Sequence, residues 1–232
     1  IKDKYNGPII DVLHHTHDYW GQLKRHLRKT GRDKPLITSE DMIQMTKELN
    51  VVHSITSEPP RKTGLWGDPI KFSKKYKTFS ALCSPHFVAY HQRGKFDKAI
   101  KLLKQIELNL KVGNCIGIGE VGVQHFNKSD KYYLLSDNIH QQQNISIPLN
   151  SIFLHKALRL SNKYEVPILI HLEPRHTMHN IDNVEQVKEW YKNICKRYIN
   201  SKIVLVHNGM FEPNHLADVF DYCSNVYSSF KI

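Results

Sequence analysis

Long hydrophobic runs and closely paired cysteines are both missing from this 232-residue sequence. Its apolar runs, such as Ile203 to Val206, are far shorter than the roughly 18 residues of a membrane span. We therefore expect a soluble protein that does not associate with a membrane. The four cysteines form no CxxC pair, and their wide spacing indicates neither a zinc knuckle nor a disulfide framework. We expect Cys83 and Cys115 to be buried structural thiols in a reducing compartment, the cytoplasm.

Acidic residues are also scarce, with 22 Asp and Glu against 33 Lys and Arg, which gives a net charge of +11. Segments 18–39 and 57–79 each contain six Lys or Arg and only two acidic residues. Positive charge concentrated in this way favours an anionic partner, which could be a carboxylate, a phosphate ester or a nucleic acid backbone. A solvated surface in a basic protein is an equal alternative. We predict an anionic small-molecule substrate, with nucleic acid as the other candidate partner.

Short β-rich apolar runs alternate with longer amphipathic segments, a rhythm that predicts parallel strands joined by crossover helices. Seven strands are predicted, at residues 8–13, 51–56, 79–84, 115–121, 166–171, 202–207 and 225–230. The predicted fold class is α/β, a single TIM-type (β/α) barrel domain over residues 1–232. A closed barrel has eight strands in about 250 residues. The eighth strand is missing from the pattern, so either the chain is truncated at its C-terminus or the barrel is open.

The predicted helices each carry one apolar face that would cover the sheet. The helix that starts near Asp97 has this face at Phe96, Ile100, Leu103 and Leu110. A later helix has it at Val187, Trp190 or Tyr191, Ile194 and Tyr198. The polar segment 127–149 is predicted to be a long excursion within the domain.

Side chains that commonly bind metals end four of the predicted strands. His15 and His17 close the first strand, and alternation along an extended backbone turns both imidazoles to the same side. Glu120 ends the fourth strand in an apolar, glycine-rich context, while His171 and His207 each follow four apolar residues. A single histidine at a strand end is usually a hydrogen-bonded core residue, but five such residues in register indicate a metal site. Nitrogen and carboxylate ligands together suit Zn, Mn, Fe or Ni better than Mg or Ca.

In order and spacing, this HxH, Glu, His, His pattern resembles the amidohydrolase superfamily of metal-dependent hydrolases. The segment IGEVGV at 118–123 is similar to the glutamate motif of TatD-type deoxyribonucleases, and ALCSPH at 81–86 to their third-strand segment. The segment IVLVHNG at 203–209 and the strand after it are closer to the amidohydrolase-related group, which includes metal-dependent decarboxylases and lactonases.

The resemblance implies one or two divalent transition-metal ions, with zinc as the first choice and Mn, Fe or Ni as alternatives. It places His15 and His17 on one ion, His171 and His207 on the other, and Glu120 between them. Glu120 and His207 are the expected catalytic residues, acting with a metal-activated water. The family's catalytic aspartate follows the eighth strand, which the pattern lacks.

Residues predicted to contact the substrate are His86, at the end of the third strand, and Arg175 and His176, in the loop after the fifth. The predicted function is metal-dependent hydrolysis of a small anionic or cyclic substrate, such as an ester, amide, lactone or phosphoester. A non-hydrolytic lyase of the same group also fits these ligands. The alternatives are a TatD-like metal-dependent deoxyribonuclease and a catalytically inactive barrel that binds a partner through its basic face.

Overall fold

The computed structural model of the protein describes residues 7, 9–15, 39–57, 68–125, 145–176 and 181–229. The predictions made for His17, for most of the two basic segments, and for most of the polar excursion at 127–149 lie outside these residues. No helix in the described part of the chain is long and apolar enough to cross a membrane.

Strands and helices alternate through the described residues. The strands are β1 (Ile9–His15), β2 (Val51–Ser57), β3 (Phe79–Ala81), β4 (Ile118–His125), β5 (Ile145–Ser146), β6 (Pro167–Leu172), β7 (Arg175–His176), β8 (Ile181–Asp182), β9 (Lys202–Leu205) and β10 (Val226–Ser228). The helices are α1 (Ser39–Glu48), α2 (Pro69–Lys75), α3 (Phe87–Gln92), α4 (Phe96–Lys111), α5 (Ile152–Tyr164), α6 (Val184–Arg197) and α7 (Pro213–Tyr222). A 3-10 turn, Val206–Met210, follows β9.

Parallel strands form two sheets in chain order. The first sheet is β1-β2-β3, and the second is β10-β9-β6-β4-β5, in which only the short β5 is antiparallel to its neighbour. A parallel bridge between Cys83 and Ile118 connects the end of the first sheet to β4. The predicted α/β class with parallel strands is therefore confirmed. No pairing between described residues joins β1 to β10, so closure of a barrel stays a prediction.

Helices α3 to α7 bury their apolar residues in one core with the second sheet, as an amphipathic period requires. The predicted stripe of α6 is buried, and both Trp190 and Tyr191 belong to it. In α4 the buried residues are Ala99, Leu103, Ile106 and Leu110. The prediction for Phe96 is wrong, because this first residue of the helix is 51% exposed. Its ring stacks on Phe153, with centroids 5.7 Å apart, at the rim of the core.

A buried amide closes the end of α6. The Nδ2 of Asn225, just before β10, lies 3.0 to 3.3 Å from the backbone carbonyl oxygens of four residues: Cys195, Tyr198, Ile199 and Ser201. The last carbonyls of a helix have no partner within the helix; the two N–H groups of this amide are shared between the helix end, at Cys195 and Tyr198, and the two carbonyls just beyond it. Asn225 thereby fixes the helix end beside the strand that follows.

All four cysteines are paired, which overturns the expectation of structural thiols. Cys83 bonds to Cys115, with Cα atoms 5.4 Å apart, and Cys195 bonds to Cys223, with Cα atoms 5.9 Å apart. Sequence spacing gave no sign of this, because each pair joins segments that become neighbours only in the folded protein: Cys195 lies in α6 and Cys223 directly follows α7. The predicted cytoplasmic location stays a prediction.

Reduction should destabilise the protein. The disulfides close loops of 32 and 28 residues, and loops of this length stabilise a fold by about 3 to 4 kcal/mol each through the lost entropy of the unfolded chain. We expect urea unfolding in dithiothreitol to show a lower free energy of unfolding than under oxidising conditions, and a Cys195→Ala, Cys223→Ala variant to lose part of that difference. Equal stability with and without reductant would contradict the pairing.

Candidate metal centre

Three of the predicted ligands converge at one end of the second sheet. Glu120 lies on β4, His171 on β6 and His207 in the turn after β9. One donor atom from each lies within 4.8 Å of the other two. Glu120 and His171 are buried and His207 is half-buried. Two imidazoles and one carboxylate make a donor set typical of zinc and manganese sites.

Neighbouring strands bring these residues together. β4 and β9 flank β6 on either side, with Gly122 opposite His171 and Leu205 opposite Ile170. Because the strands are parallel, their carboxyl ends meet at the same edge, where catalytic residues of this fold class lie. The predicted convergence of strand-end ligands is thus observed for three of the five residues.

Glycines and a bulge set the position of Glu120. An ideal Cβ on Gly119 would lie 2.8 Å from the Cβ of Leu169, and one on Gly117 would lie 2.6 Å from the carbonyl oxygen of Pro167. Only glycine permits such a close approach of β4 to β6. The register also shifts between Ile118 and Val121, and a bulge of this kind redirects the side chains within it. Glu120 is therefore directed toward His171 by its own strand.

The backbone at His207 is left-handed, and the predicted strand through this residue ends earlier, at Leu205. His207, Asn208, Gly209 and Met210 all have φ between 53° and 61°. Ser228 donates from its Oγ to Asn208 Oδ1 at 2.5 Å, and the Asn208 amide donates to the carbonyl of Ser229 at 3.1 Å. This turn sets the His207 ring at 87° to that of His171, with centroids 5.3 Å apart.

His171 lies between two buried carboxylates. Its Nδ1 hydrogen-bonds to Oε1 of Glu120 and its Nε2 to Oε1 of Glu173, the latter at 3.1 Å. Burial alone would lower the pKa of His171, but the hydrogen bonds and negative charges of Glu120 and Glu173 outweigh it and raise the pKa to about 9. A proton on Nδ1 places positive charge beside the Glu120 carboxylate, and a metal ion bound there would do the same.

Glu173 is the residue that the sequence analysis missed. It follows β6 within a polar stretch that suggested an ordinary loop, yet it is only 3% exposed. Its spacing of two residues from His171 was the available signal, since alternate side chains of an extended segment point to the same side.

The remaining predicted ligands lie at the edge of what is described. The backbone of His15 ends β1, where it pairs with Ser57 of β2, but its side chain and the whole of His17 lie outside the described residues. Their assignment as ligands stays a prediction.

The predicted substrate residues lie on two separate segments. His86 directly precedes α3 and lies five residues after the end of β3, while Arg175 and His176, predicted to lie in a loop, form the short strand β7. Arg175 is 43% exposed and lies 3.4 Å from Asp182 and 4.0 Å from Glu212. The side chain of His176 lies outside the described residues. Nothing in the structure assigns a substrate role to these three residues.

No family model matches this chain, and no curated protein matches it. Solved structures do. One is a dihydroxybenzoic acid decarboxylase from Polaromonas sp. JS666 with bound manganese and the inhibitor 2-nitroresorcinol, at 11% identity and a TM-score of 0.53, covering 97% of this chain and 78% of that one. Another is 2,6-dihydroxybenzoate decarboxylase with 2,6-dihydroxybenzoate, at 8% identity and a TM-score of 0.52, covering 96% and 88%. A third, from Staphylococcus aureus, is provisionally described as an amidohydrolase, at 12% identity and a TM-score of 0.51, covering 95% and 74%.

The chain shares the fold of these solved structures. At identities of 8% to 12% the likeness establishes the fold and leaves the reaction to the residues of the site. The alternative of a TatD-type deoxyribonuclease receives no support from these structures. It rested on the short segments at 81–86 and 118–123.

Crowding beside Glu120 provides a test of the site. We expect Gly119→Ala to push β4 away from Leu169 and to weaken zinc binding at least tenfold, measured by competition with a chromogenic chelator. The matched control is Gly94→Ala, where nothing lies within 4 Å of the new Cβ but φ is +66°. The control should lose about 1 to 2 kcal/mol of stability from backbone strain and retain its zinc affinity. Unchanged affinity in Gly119→Ala would show that this close approach does not position Glu120.

Proposed function

We propose that the protein is a metal-dependent enzyme of the amidohydrolase type that acts on a small anionic substrate. The observation that carries this proposal is the convergence of Glu120, His171 and His207 at the carboxyl ends of adjacent parallel strands. His15 and His17 would complete the ligand set from the end of β1.

The donor set fits a transition metal. The donor atoms of the three residues lie within 4.8 Å of one another, close enough for one ion to draw them together as ligands. A buried carboxylate also requires a cation or strong donors, which a metal supplies to Glu120. Zinc and manganese are the leading candidates, since manganese is bound in a similar solved structure.

Hydrolysis is the leading reaction. A bound divalent ion supplies an activated water and polarises a substrate oxygen. In this chain, Glu120 would hold the reacting oxygen and accept its proton, while His207, half-buried at the open side of the centre, would face the substrate. The net charge of +11 attracts an anion toward the protein. His86, Arg175 and His176 are the proposed contacts for its charged group.

Decarboxylation is the second candidate, because the structures with the two highest TM-scores reported above are both decarboxylases of dihydroxybenzoates. The same ligand set serves either reaction, since in each a metal binds an oxygen of the substrate. The third candidate is a catalytically inactive binding module. Such a module would either bind metal without turning over a substrate or bind no metal.

Metal content tests the centre directly. Elemental mass spectrometry of the purified protein should find about one or two transition-metal ions per chain. Glu120→Gln, His171→Ala and the double variant His15→Ala, His17→Ala should each lose most of it. The control is His155→Gln on α5, a half-buried histidine that hydrogen-bonds to Tyr198 and is not among the potential ligands in the described residues. Absence of metal after reconstitution of the wild type would refute the proposed function.

Turnover separates the reactions. With zinc or manganese loaded, we expect either proton release from lactones and phosphodiesters, followed with a pH indicator, or loss of the ultraviolet absorbance of dihydroxybenzoates with release of carbon dioxide. Glu120→Gln should lose turnover together with its metal, because either reaction would depend on the bound ion. A metal-loaded protein that turns over no substrate of either class would favour the binding module.

A further inference from the structure

Glu173 is a buried acid next to the centre that the proposed function does not use. It directly follows Leu172, the last residue of β6, and is 3% exposed. Burial of an ionised carboxylate costs several kcal/mol unless it is paired. A glutamate in such a place therefore has a partner that needs it, and the partner seen here is the imidazole of His171.

The two nitrogens of His171 face different carboxylates. Nδ1 faces Glu120, which belongs to the group of potential metal ligands. Nε2 faces Oε1 of Glu173 at 3.1 Å, on the opposite edge of the ring. Within the described residues, the potential ligand group contains Glu120, His171 and His207 and leaves out Glu173. Glu173 thus contacts the edge of the His171 ring that faces away from Glu120 and from the proposed metal ion.

The backbone of Glu173 is held from β4. Its amide donates to the carbonyl of Gln124 at 2.9 Å, and the Nε2 of Gln124 donates to the carbonyl of Glu173 at 2.7 Å. Gln124 belongs to the same strand as Glu120. The strand β4 therefore positions both Glu120, on one edge of the His171 ring, and the segment that carries Glu173, on the other edge.

We propose that Glu173 is the positioning residue of the centre: it accepts the N–H of His171 Nε2 and so fixes the tautomer in which Nδ1 presents its lone pair to the metal. This inference rests on the proposed function. A histidine ligand usually donates its second N–H to a carboxylate or carbonyl, which fixes the ring and strengthens it as a ligand. The tautomer is set by the hydrogen bond that the other nitrogen makes.

Zinc affinity and ring tautomer together test the assignment. Loss of such a partner typically weakens metal binding 10- to 100-fold. We expect E173L to raise the Kd for zinc within that range, and E173Q, which keeps an oxygen that can accept the N–H, to raise it less. The control is E189Q on the exposed side of α6, where Glu189 pairs only with Lys192 among the described residues. It should bind zinc as the wild type does.

Nitrogen NMR of the zinc-loaded protein supplies the second readout. The wild type and E189Q should show His171 protonated at Nε2, with the resonance assigned by its absence from His171→Ala. In E173L the Nε2–H signal should broaden or shift through loss of its acceptor. If E173L does not fold, E173Q decides by both readouts. Wild-type affinity and an unchanged Nε2–H signal in the Glu173 variants would overturn this inference and leave the metal centre standing. Failure of the wild type to bind zinc would overturn both.

Discussion

Burial of negative charge is the constraint on which this site depends. Glu120 and Glu173 are each about 3% exposed, and both hydrogen-bond to the same imidazole. One histidine supplies a donor to two carboxylates on opposite edges of its ring, an arrangement that raises its pKa to about 9. A metal ion at the centre would replace the proton on Nδ1 as the positive charge beside Glu120.

Such a cluster requires strands that cannot drift apart. Close contact between β4 and β6 depends on Gly117 and Gly119, whose missing Cβ atoms leave room for Pro167 and Leu169. His207 follows β9 in a left-handed turn. Each non-glycine residue in that conformation costs about 1 to 2 kcal/mol of backbone strain. Hydrogen bonds from Ser228 and to Ser229 hold the turn. The backbone is therefore strained where the His207 ring has to face the His171 ring, and such strain is common at functional sites.

Residues with a strong local pattern were predictable from the sequence. Glu120, His171 and His207 end apolar runs, and the rule that parallel strands share a carboxyl edge is enough to bring them together. The turn at His207 was missed, although its Asn208-Gly209 pair is a common turn signal, because the preceding apolar run suggested that the strand continued. Glu173 was missed because a polar stretch suggested a loop, and only the neighbouring β4 backbone makes it an extension of the strand. The cysteine pairs were beyond prediction, since no spacing rule connects residues about 30 positions apart in different elements of the fold.

The ligands alone do not separate hydrolysis from decarboxylation, because in both the metal polarises an oxygen. The difference has to come from the groups that bind the rest of the substrate, and Arg175 is the described cation best suited to that role. Its ion pairs with Asp182 and Glu212 are long and exposed, and such pairs contribute at most about 1 kcal/mol. An incoming carboxylate that bound Arg175 in two-point fashion would replace these contacts at little cost.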